Sequence, residues 1–190
     1  VLSFWDLHTR EEMIGRDYLL YSVNCGGTEA GELGLYQSCA DQEYGEDKTT
    51  GRRWGYQPSS YIEAVEDDEG EGLSASRWEI KEGTDYNNEE TGFYYDFEVP
   101  AGEYEVTLGF FNPFSARTVC VDLEGNREVD SLKILKYKLT EAAAVTEVAD
   151  GTLQVKVYNP ERGTDAMKDP ILSYIVVRAV PEYDSELLDL

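Results

Sequence analysis

Apolar side chains alternate with polar ones along the second half of the chain. They recur at every second position in residues 93–99 and again in residues 104–110. A period of two residues is typical of a β-strand that buries one face. Only Pro100-Ala101-Gly102 separates the two runs, and these residue types favour a turn. The pattern therefore predicts two strands that pair as an antiparallel hairpin.

Turn sequences separate several further strand-like runs. Glu124-Gly125-Asn126 follows an alternating run at residues 119–123 and predicts a tight turn into another strand. Asp150-Gly151 separates residues 145–148 from residues 153–157 and predicts a further hairpin. Strands are also expected at residues 18–24, 141–144 and 171–180. The Ala-rich run at 141–144 has helix propensity, but it is too short to form a helix alone.

The whole pattern fits a single all-β domain. Many short strands without intervening helices indicate an antiparallel β-sandwich or jelly roll, which we place at residues 18–181. Residues 1–17 have no clear period and are expected to form an N-terminal arm or linker. Residues 182–190 are expected to form an acidic C-terminal tail. Residues 26–92 are rich in Gly, Tyr, Asp and Glu, so they are predicted to form loops that carry function.

The charge of the chain restricts the partners that it can bind. There are 39 acidic and 16 basic residues, which gives a net charge of −23. Binding to nucleic acids or anionic membranes requires clustered Lys and Arg, so neither is expected as a partner. The same charge disfavours acidic polysaccharides and favours a neutral ligand. No apolar stretch approaches the roughly 20 residues that a membrane helix needs.

The sequence also lacks the common catalytic motifs. It contains no GxSxG, HExxH, GxxxxGK[ST] or CxxC pattern, and His8 is its one histidine. Nucleophilic and zinc-dependent chemistry is therefore not expected, and we predict that the chain is not an enzyme. A glycosidase needs only two carboxylates flanking the scissile bond, so that class stays open as an alternative.

Cofactors and disulfides are not indicated by any clear pattern. The acidic residues 66–71 do not have the spacing of an EF-hand loop, although a structural calcium ion among them stays open. We expect no other cofactor. Cys25, Cys39 and Cys120 are an odd number of cysteines, so no closed disulfide framework follows, and a bond between Cys25 and Cys39 is left open.

Aromatic residues within polar segments are the main functional signal. Trp54 and Tyr56 lie among Gly and charged residues at 48–56, a segment that does not resemble a core strand, and Tyr86 lies in the polar segment 83–92. An aromatic ring can stack on the C–H face of a sugar while polar groups bind its hydroxyls. Packing of these rings against the protein is the alternative.

Five segments, in order, resemble malectin and related carbohydrate-binding domains. They comprise an opening strand with a Gly-Gly loop, a tyrosine loop running into a strand, a turn between two strands, a late "G-x-L" strand and an Asp-Pro segment before the final strand. Their positions are residues 21–27, 86–95, 119–126, 151–155 and 169–175. The resemblance covers roughly residues 18–180 and implies the same β-sandwich fold.

In that family two tyrosines, an adjacent aromatic pair and a late aspartate line the sugar pocket. By resemblance, Tyr86 matches one tyrosine and Trp54 stands in place of the other, with an indole as the stacking platform. Asp169 matches the aspartate, although the residue that usually separates it from the proline is missing. The aromatic pair falls at Asn112 to Phe114, where Phe114 is the aromatic residue that remains.

Residues 34–45 resemble loops of modules appended to large bacterial glycoside hydrolases. This makes Tyr36, Asp41 and Tyr44 secondary contact candidates, with packing beneath the loop as the alternative. The resemblance implies a monomeric, non-catalytic carbohydrate-binding module, extracellular or on the cell surface, that joins a catalytic domain of the same longer chain to a neutral oligosaccharide or polysaccharide. The alternatives are an accessory β-sandwich that packs against a catalytic domain without binding sugar, and a two-carboxylate glycosidase.

Overall fold

The computed structural model describes residues 18–28, 31–33, 36–59, 62–66, 75–79, 92–159 and 169–180. Every regular element within these residues is a β-strand. The strands are β1 Leu19–Asn24, β2 Gly31–Leu33, β3 Tyr36–Ala40, β4 Gly45–Glu46, β5 Arg53–Tyr56, β6 Ile62–Glu66, β7 Ala75–Glu79, β8 Gly92–Glu98, β9 Gly102–Phe110, β10 Arg117–Leu123, β11 Asn126–Ile134, β12 Thr140–Val148, β13 Thr152–Tyr158, β14 Ile171–Leu172 and β15 Tyr174–Ala179.

Two six-stranded sheets form the body of the described structure. Sheet 1 has the strand order β12-β9-β15-β1-β3-β2, and sheet 2 has the order β11-β10-β13-β8-β5-β4. Strand pairs are antiparallel apart from the parallel pair of β1 with β3. Alternate side chains of each sheet enter a shared core; on β8, for example, Phe93, Tyr95 and Phe97 are at most 1% exposed. The predicted antiparallel β-sandwich is confirmed.

A third sheet, with the order β14-β7-β6, closes one end of the sandwich. The hydroxyl oxygens of Ser76 on β7 and Ser173 lie 2.9 Å apart, and the Ser173 backbone N–H donates to the Gly109 carbonyl at the end of β9. Gly26 passes so close to β7 that a Cβ atom would lie 2.4 Å from the Ser76 carbonyl oxygen. Its positive φ of 78° also favours glycine, so β7 is held tightly against this end.

Two of the three predicted hairpins are wrong. β8 lies in sheet 2 and β9 in sheet 1, while β12 lies in sheet 1 and β13 in sheet 2. Both connections therefore cross the sandwich, and they meet where the Val99 N–H donates to the Gly151 carbonyl at 3.1 Å. Stacked sheets are about 10 Å apart, a distance that three residues can span. The hairpin of β10 with β11 is confirmed, with Leu123 opposite Asn126.

Several smaller expectations also have an outcome. The predicted final strand is interrupted at Ser173, which separates β14 from β15. The three cysteines are free thiols, so Cys25 and Cys39 are not bonded. The predicted N-terminal arm, the acidic tail and most of the acidic run at 66–71 lie outside the described residues. No described helix is long and apolar enough to cross a membrane.

Candidate ligand-binding site

A stacked aromatic pair lies at the end of the sandwich that β7 closes. The rings of Trp78, on β7, and Phe114, in the connection from β9 to β10, have centroids 5.1 Å apart and planes 14° apart. Phe114 is 41% exposed, whereas most aromatic side chains of the described structure are buried. One face of the Phe114 ring rests on Trp78, so the pair presents an apolar surface next to polar loop groups.

Asn112 holds the connection that carries Phe114. The side chain is completely buried; its Oδ1 accepts the Phe114 backbone N–H at 3.0 Å, and its Nδ2 donates to the Ser115 carbonyl. Such local bonds fix the backbone of a turn that has no strand partner. Asn112 was predicted as a contact residue, but it lies beneath the loop and positions Phe114.

Tyr137 is a second exposed aromatic residue beside this loop. Its backbone N–H donates to the Asn112 carbonyl at 2.9 Å, and the residue is 54% exposed. Its φ of 55° places it in the left-handed region, which costs a non-glycine residue roughly 1 kcal/mol. The Lys136 Nζ atom lies 4.6 Å from the centre of the ring. A strained backbone that exposes an aromatic ring is a feature often found at binding sites.

Asp169 lies at the same end of the molecule, but it is buried. It is 2% exposed, and its backbone carbonyl accepts a hydrogen bond of 2.7 Å from Nη1 of Arg117. Burial lowers the pKa of the Arg117 guanidinium, and the nearby Asp169 charge opposes that shift. Nε of Arg117 also donates to the Ser115 carbonyl. The resemblance assigns Asp169 to the ligand site, and the residue does lie at the same end as Phe114, but its carboxyl group does not face solvent.

Trp54 is a core residue, contrary to expectation. It lies on β5 opposite Phe97 of β8, is 2% exposed, and has its ring 5° from parallel with the Phe97 ring. Its neighbour Tyr56 is half-buried, with the Arg77 guanidinium 3.8 Å from the ring centre. The prediction that residues 48–56 form a loop is wrong from Arg53 onwards, where β5 begins. The strand could not be recognised in the sequence because its four residues are too few to show an alternating pattern.

Asp41 belongs to a buried ionic network. Its Oδ2 accepts hydrogen bonds from the Gly26 N–H at 2.5 Å, the Arg77 Nε at 2.8 Å and the Tyr95 hydroxyl at 2.8 Å. The Asp41 side chain is 1% exposed. Burial raises the pKa of the Asp41 carboxyl, although Arg77 and the hydrogen bonds act to lower it. Asp41 was predicted to contact a ligand, but its burial favours the alternative, that it packs beneath the loop.

The predicted site residues do not gather in one place. Phe114, Asn112 and Asp169 lie at the end closed by β7, where the Gly92 N–H at the start of β8 donates to Oε2 of Glu79. Tyr44 lies beside Arg53 near the other end of β8, and a seven-residue strand is about 20 Å long.

Two predicted residues cannot be placed in the site. Tyr86 lies outside the described residues, and so does the side chain of Tyr36.

Two residues of the site were not predicted from the sequence. Trp78 lies within residues 26–92, which were predicted to form loops, and its sequence neighbours gave no sign that its ring meets Phe114. Tyr137 lies between two lysines and resembles an ordinary surface tyrosine. Its one unusual property, the positive φ, can be observed only in the folded chain.

Comparisons with known proteins show the fold. No family model matches the chain. No curated protein matches it either. Among solved structures, a Bacteroides uniformis β-glucuronidase matches with a TM-score of 0.60 and 17% identity over 85% of this chain and 18% of its own.

Plant receptor structures match similarly. A complex of plant FER with the peptide RALF23 and LLG2 gives a TM-score of 0.66 and 12% identity, covering 87% of this chain and 50% of that one. The ANXUR2 extracellular domain of Arabidopsis thaliana gives a TM-score of 0.60 and 11% identity, covering 86% of this chain and 49% of that one. This chain thus spans half or less of each of these proteins. At such identities the likeness concerns architecture, and the chain has a malectin-like β-sandwich fold.

Proposed function

We propose that the chain is a non-catalytic carbohydrate-binding module whose ligand contacts the aromatic pair Trp78 and Phe114. The observation that carries this proposal is the exposed Phe114 ring, stacked on Trp78 and fixed by Asn112. A sugar presents C–H groups on one face and hydroxyls at its edge, so a supported ring surrounded by polar groups suits it. The proposal includes no catalytic residue.

The surroundings of the pair supply candidate polar contacts. The Tyr137 hydroxyl and the Lys136 ammonium belong to the adjacent exposed segment. The indole N–H of Trp78 is buried and has no acceptor within the part of the chain that the structure describes, so the exposed Phe114 ring, rather than this N–H, is offered as the contact with a sugar. Because Asn112 already holds the loop, little ordering free energy is lost when a ligand binds.

The expected ligand is a neutral glycan, and the expected setting is outside the cell. A net charge of −23 disfavours polyanions in general. The matched proteins include a β-glucuronidase and an extracellular receptor domain, each considerably longer than this chain. We therefore place the module in a longer extracellular or cell-surface protein, beside a glycoside hydrolase domain.

Calorimetric titration against a panel of neutral oligosaccharides tests the proposal. Phe114→Ala should weaken the binding of a recognised glycan about tenfold, because a lost aromatic stack is worth roughly 1 to 1.5 kcal/mol. Val145→Ala is a matched control, since Val145 is similarly exposed but lies on β12 opposite Glu105. Unchanged affinity in Phe114→Ala would rule out this site.

A second candidate function rests on exposed aliphatic residues. Leu135, Leu139 and Val145 are 42%, 42% and 46% exposed on β12 and on the connection that leads to it. An accessory sandwich that packs against a catalytic domain would expose such residues when isolated. This candidate predicts that tryptophan fluorescence responds to no glycan and that Leu135→Ser with Leu139→Ser reduces binding of an apolar dye.

A further inference from the structure

A separate cleft lies at the end of the sandwich opposite to Trp78 and Phe114. Its volume is about 590 Å³, and it is open to solvent. It lies beside the end of β8, the beginning of β13 and the beginning of β5. The lining residues are Tyr44, Arg52, Arg53, Glu98, Val99, Pro100, Asp150, Gly151 and Thr152. Of these residues, Tyr44 was a secondary contact candidate from the sequence, and none belongs to the site at Trp78 and Phe114.

Two adjacent arginines are the unusual feature of this cleft. Arg52 and Arg53 are exposed, and within the described part of the chain neither forms an ion pair. The Arg53 guanidinium lies 5.2 Å from the centre of the Tyr44 ring, and the Arg52 guanidinium 5.9 Å from that of Tyr21. Two neighbouring guanidiniums without a carboxylate partner are notable in a chain with 39 acidic residues. They can bind an anion through paired N–H donors.

The acidic residues of the cleft already bind backbone groups. Oε2 of Glu98 accepts the Arg53 N–H at 2.8 Å, and Oδ1 of Asp150 accepts the Thr152 N–H at 3.0 Å. Their other carboxylate oxygens remain acceptors for hydroxyl groups, since an ionised carboxylate has about four lone-pair sites. The cleft thus combines donors for an anion with acceptors for hydroxyls, beside the apolar edge of Val99 and Pro100.

The segment that carries the arginines is fixed by the preceding turn. The Asp47 carboxylate accepts hydrogen bonds from the Thr49 N–H at 2.8 Å, the Thr50 hydroxyl at 2.9 Å and the Trp54 indole N–H at 3.3 Å. Gly51, with a φ of 72°, donates its N–H to the Asp47 carbonyl. The turn is therefore anchored to the core through Trp54, which gives the arginines a defined backbone.

We propose that this cleft binds a carboxylate-bearing polyhydroxy compound of the sugar-acid class. Arg52 and Arg53 bind the carboxylate, and Glu98 and Asp150 accept hydrogen bonds from its hydroxyls. The overall acidity of the chain opposes unspecific binding of anions, so recognition depends on both kinds of contact together. The site is independent of the neutral-glycan site, because the length of β8 separates the two.

Titration of the isotopically labelled chain with D-glucuronate, followed in proton–nitrogen correlation spectra, tests the proposal. D-glucose, which lacks the carboxylate, and acetate, which lacks the hydroxyls, are the comparison ligands. Signals of residues 44, 52–53, 98–99 and 150–152 should shift with glucuronate. Glucose and acetate should each bind at least about tenfold more weakly, since each lacks one group of charge-assisted hydrogen bonds.

Two arginine variants make the test specific. Arg53→Gln should weaken glucuronate binding about tenfold, whereas Arg127→Gln, with the same charge change on an exposed arginine of β11, should not. Thermal melts check that both variants are folded. The proposal is overturned if glucuronate shifts no cleft signal, if acetate binds as well as glucuronate, or if both variants weaken binding equally. Phe114→Ala should not change the affinity for glucuronate. Glucuronate binding in the cleft can therefore be confirmed or rejected independently of neutral-glycan binding at Phe114.

Discussion

Trp54 and Phe114 have opposite roles although both occur in sequence that resembles a loop. Trp54 is 2% exposed and packs against Phe97 and Tyr21, whereas Phe114 is 41% exposed and rests on one other ring. The sequence therefore shows where an aromatic ring occurs, but only its burial in the fold shows whether the ring packs in the core or can contact a ligand. At this scale the candidate site is Phe114, Trp78 and Tyr137 rather than Trp54 and Asp41.

The two aromatic residues should differ in their effect on stability. Trp54→Ala removes a buried indole from the core and should lower the free energy of unfolding by about 3 to 5 kcal/mol. Phe114→Ala removes a partly exposed ring and should cost about 1 kcal/mol. Urea unfolding followed by circular dichroism measures both values. Equal losses in the two variants would contradict the assignment of Trp54 to the core and Phe114 to the surface.

The site residues could be only partly predicted from the sequence. The resemblance to malectin, rather than any local pattern, assigned Phe114 and Asp169 to one pocket, and the two residues lie at the same end of the fold. It was not sufficient for Trp54, because the β5 strand has four residues and includes Gly55. Alternation cannot be recognised in so short a run. The burial of Asp41 depends on Arg77 and Tyr95, which are distant in sequence, so no local pattern could indicate it.

Among the elements, the turn between β4 and β5 depends on the side chain of Asp47. Slight burial of the Asp47 carboxyl acts to raise its pKa, but hydrogen bonds from Thr49, Thr50 and Trp54 outweigh this effect and lower it below its usual value. The charged form is thus preferred in the folded chain. Its contribution to stability is complete above the unfolded pKa and decreases as the pH falls through the folded pKa.

Asp47→Asn gives a test of this turn. The variant should be less stable than the parent chain at pH values above about 4, the usual range for an aspartate pKa. The difference should shrink as the pH is lowered further, because the parent carboxylate is then protonated as well. Urea unfolding of both chains over this pH range measures the difference. A difference that is constant with pH would show that the charge of Asp47 does not hold the turn.

Strand positions could be predicted more accurately than strand partners. The period of two residues correctly indicated β8, β9, β10 and β13, since burial of alternate residues is a local property. It could not indicate which sheet each strand joins. Strands facing one core from opposite sheets have the same pattern, and the short turns at residues 99–101 and 149–151 suit a hairpin or a crossing equally well.

At the scale of the whole molecule, the net charge of −23 creates self-repulsion within a compact fold. The prediction of a neutral main ligand rests on this charge. The proposed sugar-acid cleft is a local exception, because two arginines meet there without an ion-pair partner in the described part of the chain. The malectin-like sandwich thus has two ends with different chemistry, one with an exposed aromatic pair and one with two arginines beside two carboxylates.

Salt should stabilise the folded chain. Raising sodium chloride from about 10 mM to about 1 M shortens the Debye length from about 30 Å to about 3 Å, which screens the repulsion between carboxylates. The Tm at neutral pH should therefore rise. Near the isoelectric point of about 4.2 the net charge vanishes, and the rise should be much smaller. Calorimetric melts at both pH values test this; a Tm that falls with salt at neutral pH would contradict it.

The most direct test of sugar binding at Trp78 and Phe114 uses the indole N–H signals of the tryptophans during titration with a neutral glycan found by panel screening. Trp54→Phe and Trp78→Phe variants assign the signals of the two described tryptophans. The Trp78 indole signal should shift with saturation and the Trp54 signal should stay in place, and Phe114→Ala should weaken the binding about tenfold. A Trp78 signal that is unmoved by a glycan that binds would contradict the proposed site.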